Sequence, residues 1–150
     1  MTIGFQFRET MTGTYHLIAE PLDERAITFT IGAKVDGIRQ FLKDKLAAIE
    51  GEVDAEKLAA KRALQGTMGL KLLDERRLTY EFTFTGDDDL PYRFRGQKDV
   101  SVIALADSMT ILPASLYDLA GKEIGRATLR FDMRSDLRSF LSSWKLRYWG

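Results

Sequence analysis

Chemistry in this chain has to come from carboxylates, amines, hydroxyls and one imidazole, because there is no cysteine and a single histidine. A disulfide framework, a thiolate metal site and a thiol nucleophile are therefore all excluded. Glu9 is the most informative carboxylate, since it follows the aromatic alternation Phe5, Phe7 and precedes Gly13. A glutamate pointing inward from such a strand needs a cation, and Lys98, on a distant segment of the same character, is the candidate. The pair is expected either to staple a barrel internally or to orient the polar end of a ligand, the remaining alternative being a surface Glu9. General acid/base catalysis would need two carboxylates whose surroundings separate their pKa values. Glu9, Glu50, Glu52 and Glu81 supply the groups, but spacing alone brings no two of them together.

The other reactive-looking groups are weaker. His16 lacks a Gly-x-Ser-x-Gly elbow, and a zinc site around it would need only carboxylates as its remaining ligands, so it is read as a strand-surface or barrel-rim residue. Asp87, Asp88 and Asp89 could collect a hard cation, but three adjacent carboxylates do not have the alternating spacing of a calcium loop, and they are read as a hairpin cap. Gly66-Thr67-Met68-Gly69 lacks the Lys-Ser/Thr of a phosphate loop. Arg93 and Arg95 share a strand face, and together with Arg126, Arg130, Arg134 and Arg138 they make the C-terminal half mildly basic. Solvation of an outer face explains them better than an anion site. No metal and no cofactor is expected.

These residues have to be positioned by strands, because a hydrophobic repeat of two runs along most of the chain. Tyr80, Phe82 and Phe84 alternate with Thr79, Glu81, Thr83 and Thr85; after the turn cluster Gly86 to Asp89, Tyr92 and Phe94 alternate with Arg93 and Arg95. That is a hairpin with five aromatics on one face. Shorter runs of the same kind occur at Phe5 to Leu17, Ile27 to Ile31, Ala47 to Val53, Leu64 to Leu73, Met109 to Ala114 and Ala127 to Met133. The count is about nine strands. Two segments have helical spacing instead: Asp36 to Ala48, with Ile38, Phe41 and Leu42, and the stretch after Ser135, with Leu137, Phe140, Leu141 and Trp144. Asp36 and Ser135 are the expected N-caps. Glu56 to Leu64 fits a helical turn or a strand connection equally well.

The expected architecture is one all-β domain over residues 1–150, an antiparallel up-and-down barrel with one or two short helices. Closure removes the edges that a long meander would otherwise expose. The chain has 150 residues, 45% of them hydrophobic, which is enough for a core without cross-links. With 22 basic and 22 acidic side chains there is no excess cation to drive phosphate binding, so a dedicated nucleic-acid partner is not expected. The longest apolar run, Val102 to Ala106, is too short to span a bilayer, and the N-terminus has no signal-peptide pattern, so a cytoplasmic location is expected.

Several short motifs occur in a suggestive order: Phe7-Arg8-Glu9-Thr10-Met11-Thr12-Gly13, Gly66, Tyr80 to Phe84, Tyr92-Arg93-Phe94-Arg95-Gly96-Gln97-Lys98, and Gly125 to Leu129. The chain resembles the lipocalin-like β-barrel region that accompanies cholesterol-oxidase-like flavoproteins of the glucose/methanol/choline class. The resemblance implies a lipocalin/calycin-like barrel that handles lipid-like molecules or docks on an oxidoreductase partner, with Glu9, Gly13, Gly96 and Lys98 as the positions of interest. Oxidation is not implied, since the chain has no Gly-x-Gly-x-x-Gly. The first functional expectation is thus a non-catalytic barrel binding a small apolar or amphipathic molecule, lined by Tyr80, Phe82, Phe84, Tyr92 and Phe94 and oriented by Glu9 or Lys98. The second is an interaction or homodimer module using Trp144, Tyr148 and Trp149. The third is an enzyme with Glu9, His16 or Lys98 as general acid or base.

Overall fold

Alternating side chains produce nine strands in the computed structural model, which describes residues 2–71, 75–99, 111–131 and 145–149. The strands are β1 (Thr2–Leu17), β2 (Glu20–Val35), β3 (Leu46–Ala55), β4 (Ala59–Lys71), β5 (Arg77–Thr85), β6 (Pro91–Asp99), β7 (Ile111–Tyr117), β8 (Glu123–Arg130) and β9 (Lys145–Trp149). Each strand from β2 to β7 pairs antiparallel with the next, and β1 pairs with both β8 and β2, which closes an eight-stranded up-and-down barrel. One edge of β1 is shared: β8 takes Thr12 to Leu17 and β9, the extra strand, takes Thr2 to Gln6. Followed around the circuit, the registers advance by about ten residues, a steep tilt for eight strands, and such a barrel is just wide enough to be filled by side chains or to hold one small ligand.

Period-two burial confirms the inward faces. Phe7, Met11 and Tyr15 of β1, Phe29 and Ile31 of β2, Tyr80, Phe82 and Phe84 of β5, and Leu112 and Leu116 of β7 are all buried. Glycines let neighbouring strands approach where the sheet bends. At Gly66 an added Cβ would lie 1.9 Å from the Glu81 carbonyl oxygen and 2.6 Å from the Phe82 Cα, and at Gly13 it would lie 1.9 Å from the Thr128 carbonyl oxygen.

The helix expected over Asp36 to Ala48 is shorter, α1 (Ile38–Asp44). Its N-cap is Gly37, with no side-chain cap bond, and Asp36 lies outside it with a carboxylate oxygen 3.6 Å from the Lys34 ammonium. The stop was not readable because Lys45, not a glycine, takes the left-handed conformation at φ 58° and donates its N–H to Phe41 O. Ala47 to Ile49 then pair in β3. Glu56 to Leu58 form the turn into β4, which resolves the ambiguous stretch as a strand connection. Phe131 is buried, in line with the parity expected for β8. The segment beginning at Ser135, with Trp144, and residues Met109, Met133, Arg134 and Arg138 lie outside the described residues. Tyr148 and Trp149 belong to β9 and pair with Ile3 and Thr2.

The barrel's two ends are built differently. The β1–β2, β3–β4, β5–β6 and β7–β8 turns share one end, which is closed by Leu58, by the Tyr15 hydroxyl donating to the Glu56 carbonyl, and by Arg25. Arg25 is only 8% exposed; it donates to Glu20 at 2.9 Å and Asp23 at 3.0 Å and lies over the Tyr15 ring. The opposite end carries α1, where Phe41 meets Phe5 edge-on at a centroid distance of 5.3 Å.

Candidate binding site

A layer of aromatic rings fills the middle of the barrel. Phe82 and Phe94 face each other across the β5–β6 ladder and stack at 4.5 Å. Phe29 reaches across from β2 and meets Phe82 at 5.3 Å, Phe94 at 5.4 Å and Tyr80 at 6.0 Å. Each such pair adds about 0.5–1.5 kcal/mol beyond its buried area. Phe84 stacks on Tyr92 at 5.7 Å nearer the hairpin end. Tyr92 is only partly buried there and donates to Asp88; burial and that carboxylate push its phenol up to about 12. Of the five aromatics expected inside, Tyr80, Phe82, Phe84 and Phe94 are buried and packed largely on one another, while Tyr92 sits at the rim.

Above this layer, toward α1, the interior turns polar. Along β6 the inward positions are Phe94, Gly96 and Lys98, and along β5 they are Phe82, Tyr80 and Leu78, so the register places Tyr80 opposite Gly96 and Lys98 opposite Leu78. The missing side chain at Gly96 matters, because an added Cβ would crowd Leu112 at 3.0 Å and Ala114 at 3.2 Å. The Tyr80 hydroxyl donates to Glu9 Oε1 at 2.5 Å, across the barrel from β5 to β1. The Lys98 ammonium lies 5.3 Å from the centre of the Tyr80 ring and 3.9 Å from Met11 Sδ. Glu9 and Lys98 thus each approach Tyr80, and among the described residues no direct ion pair joins them.

The electrostatics follow from burial. Tyr80 is 1% exposed and its phenol sits well above its ordinary value, first because burial opposes the phenolate and then because the Glu9 charge repels it. Lys98 is 3% exposed; burial lowers its pKa, while the Glu9 charge pulls the other way. Glu9 itself is half-buried, and its Oε2 has no donor among the described residues. The trio offers a carboxylate oxygen at a partly open position, backed by a neutral phenol and an amine in an apolar wall. Met11 and Phe29 were not singled out from sequence, although their inward parity was readable.

The remaining candidates are placed elsewhere. His16 pairs with Arg126 in the β1–β8 ladder, at an outward position. Glu50, Glu52 and Glu81 are exposed, and Glu81 faces Arg93 at 3.9 Å. Arg95, Arg126 and Arg130 are exposed as well. Asp87 accepts from Ala60 N–H and from Arg62 Nε at 2.9 Å, and Asp88 accepts from Leu90 N–H and the Tyr92 hydroxyl, so the acidic run caps the β5–β6 hairpin. Backbone and arginine bonds hold the Asp87 carboxyl below its ordinary pKa. No cluster of three potential metal ligands occurs among the described residues. Gly66 to Gly69 run inside β4 rather than in a loop.

A concavity of about 1370 Å³ is bordered by residues of both faces of the sheet. Its walls are mainly outward polar residues of β1 to β6, among them Arg8, Thr10, Thr30, Gln65, Thr83 and Arg93, but inward Phe7, Glu9 and Phe82 also border it; Tyr80 and Lys98 do not. Thr10 and Thr30, paired in the β1–β2 register, bond through their hydroxyls at 3.1 Å in its wall. Comparison with known proteins adds no relative: no family model, curated protein or solved structure matches the chain.

Proposed function

We propose that the barrel is a non-catalytic carrier or sensor that binds a small amphipathic molecule at the Glu9–Tyr80–Lys98 level, with the phenylalanine layer as the floor beneath it. One observation carries this reading: three ionisable groups are gathered inside an otherwise apolar barrel, where burial of a charge works against folding. A polar cluster against a largely apolar wall is the usual form of a small-molecule site. Glu9 Oε2 would accept from a hydroxyl or amine of the ligand, and the ligand's apolar body would displace interior side chains or enter from the α1 end. The lipid-handling role implied by the resemblance to flavoprotein-associated barrels is of the same class.

A competing reading makes the trio an internal staple, and the low exposure of Tyr80 and Lys98 favours it. Two measurements separate the readings. Native mass spectrometry of the protein purified from its own host should show a co-purifying mass, and N-phenyl-1-naphthylamine, an apolar probe with one N–H donor, should gain fluorescence on binding. Glu9→Gln should weaken the probe about tenfold or more, the loss expected for a charged hydrogen-bond acceptor. A folded wild type that carries no adduct and leaves the probe dark sinks the carrier reading and leaves the staple.

A further inference from the structure

The barrel's ends differ in charge as well as in construction. Among the described residues the hairpin end gathers Glu20, Asp23, Glu24, Glu56, Asp87, Asp88, Asp89 and Asp118 against Arg25, Lys57, Lys61, Arg62 and Lys122, of which Arg25, Lys57 and Arg62 are tied to acids by ion pairs. The α1 end gathers Lys34, Arg39, Lys43, Lys45, Lys71 and Arg76. Its acids are fewer and engaged: Asp36 faces Lys34, Asp44 accepts from Leu46 N–H and Gln40, Glu75 faces Lys71 and Arg77, and Asp99 accepts from Gln97.

The same end exposes apolar side chains as one patch. Ile3 and Phe5 share a face of β1, the β1–β9 register sets Leu146 opposite Phe5, and Phe41 pins α1 onto Phe5. Beside this contact the short helix carries Ile38 and Leu42 one turn apart, flanked by Arg39 and Lys43 one turn apart. Leu42 is 60% exposed and Leu146 66%. No described helix is long and apolar enough to cross a membrane, but leucine and isoleucine set beside lysine and arginine suit the headgroup boundary of one.

We propose that the α1 end is a docking face for an anionic lipid bilayer. Basic side chains would be drawn to acidic headgroups, the exposed Ile38, Leu42 and Leu146 would enter the boundary, and the acidic hairpin end would be repelled, which fixes the orientation. Nucleic acid accounts for the cations but gives the exposed leucines nothing to bury against. A second copy offers a complementary acidic end with exposed Leu22 and Leu119, but that contact is head-to-tail and propagates instead of closing. The docking face stands whether or not the interior takes a ligand.

The test is co-sedimentation with phosphatidylcholine vesicles and with vesicles containing 30% phosphatidylglycerol. The protein should bind only the anionic vesicles and be released by 0.5 M NaCl. Each basic group at the surface strengthens binding roughly fivefold, so Arg39→Glu with Lys43→Glu should weaken it by about 25-fold or more. Leu42→Ser should weaken it too, and Leu119→Ser at the far end should not; circular dichroism checks that each variant is folded. Equal binding to both vesicles, binding to neither, or indifference to the α1 variants overturns the proposal. Oligomers abolished by both Leu42→Ser and Leu119→Ser would also overturn it and assign the face to a second copy.

Discussion

The Glu9–Tyr80 bond can be tested by a double-mutant cycle, because its two ends differ in exposure. In Tyr80→Phe the carboxylate left behind is half-buried and water can replace the phenol, so the cost should fall below the charge-assisted range to that of an ordinary hydrogen bond, about 1 kcal/mol. In Glu9→Leu the stranded group is a hydroxyl on a residue 1% exposed, and an unsatisfied buried donor costs roughly 2 kcal/mol. The double variant strands neither, so it should lose about 1.5 kcal/mol rather than the sum, a coupling of about 1.5 kcal/mol. Urea unfolding followed by circular dichroism at pH 7 measures all four proteins. The alkaline arm gives a second reading. The folded pKa of Tyr80 is raised well above the ordinary phenol value of about 10, so the tyrosine's contribution is intact below that pH and is lost as pH rises toward the folded value. Lys98 acts with the opposite sign, because its depressed folded pKa makes stability rise with pH toward the unfolded value; it is present in wild type and Tyr80→Phe alike and cancels in their difference. Wild type should therefore lose more stability than Tyr80→Phe between about pH 10 and pH 11.5. Additivity of the two single variants within about 0.3 kcal/mol, together with parallel alkaline arms, would refute the bond and with it the assembly of the trio.

Three further outcomes follow from the packing. Phe29→Ala, which removes the ring that meets Tyr80, Phe82 and Phe94, should cost about 3–5 kcal/mol in chemical denaturation, whereas a loss under about 1 kcal/mol would mean that the middle of the barrel is not filled. Gly66→Ala places a methyl against the Glu81–Phe82 backbone and should destabilise by roughly 1–3 kcal/mol; an unchanged denaturation midpoint would show that β4 and β5 do not approach so closely there. Asp87→Asn should lower the melting temperature at pH 7, and because the folded carboxyl pKa is depressed, the gap from wild type should close as the pH falls through it; the wild-type melting temperature should ignore calcium, and a calcium-dependent rise would contradict the capping role.

The fold was largely legible because a repeat of two on successive segments leaves few arrangements, and the rows Tyr80–Phe82–Phe84 and Tyr92–Phe94 stated which face was inside before any coordinate did. The same parity put Glu9 and Lys98 on inward positions, which is why a pair 89 residues apart in sequence could be suspected at all. What the chain alone could not say was who stands between them. Tyr80 reaches Glu9 only because the steep tilt of a closed barrel carries β5 across from β1, and neither residue's local pattern encodes that crossing. The length of α1 was equally hidden, since a left-handed Lys45 ends the helix and lysine carries no stop signal. The exposed patch of Ile3, Leu42 and Leu146 lies scattered along the sequence and became one surface only when β9 paired with the first residues of β1. Alternation fixes which side of a strand a residue faces, but shear and closure decide which residue waits on the far wall, and those are properties of the whole sheet.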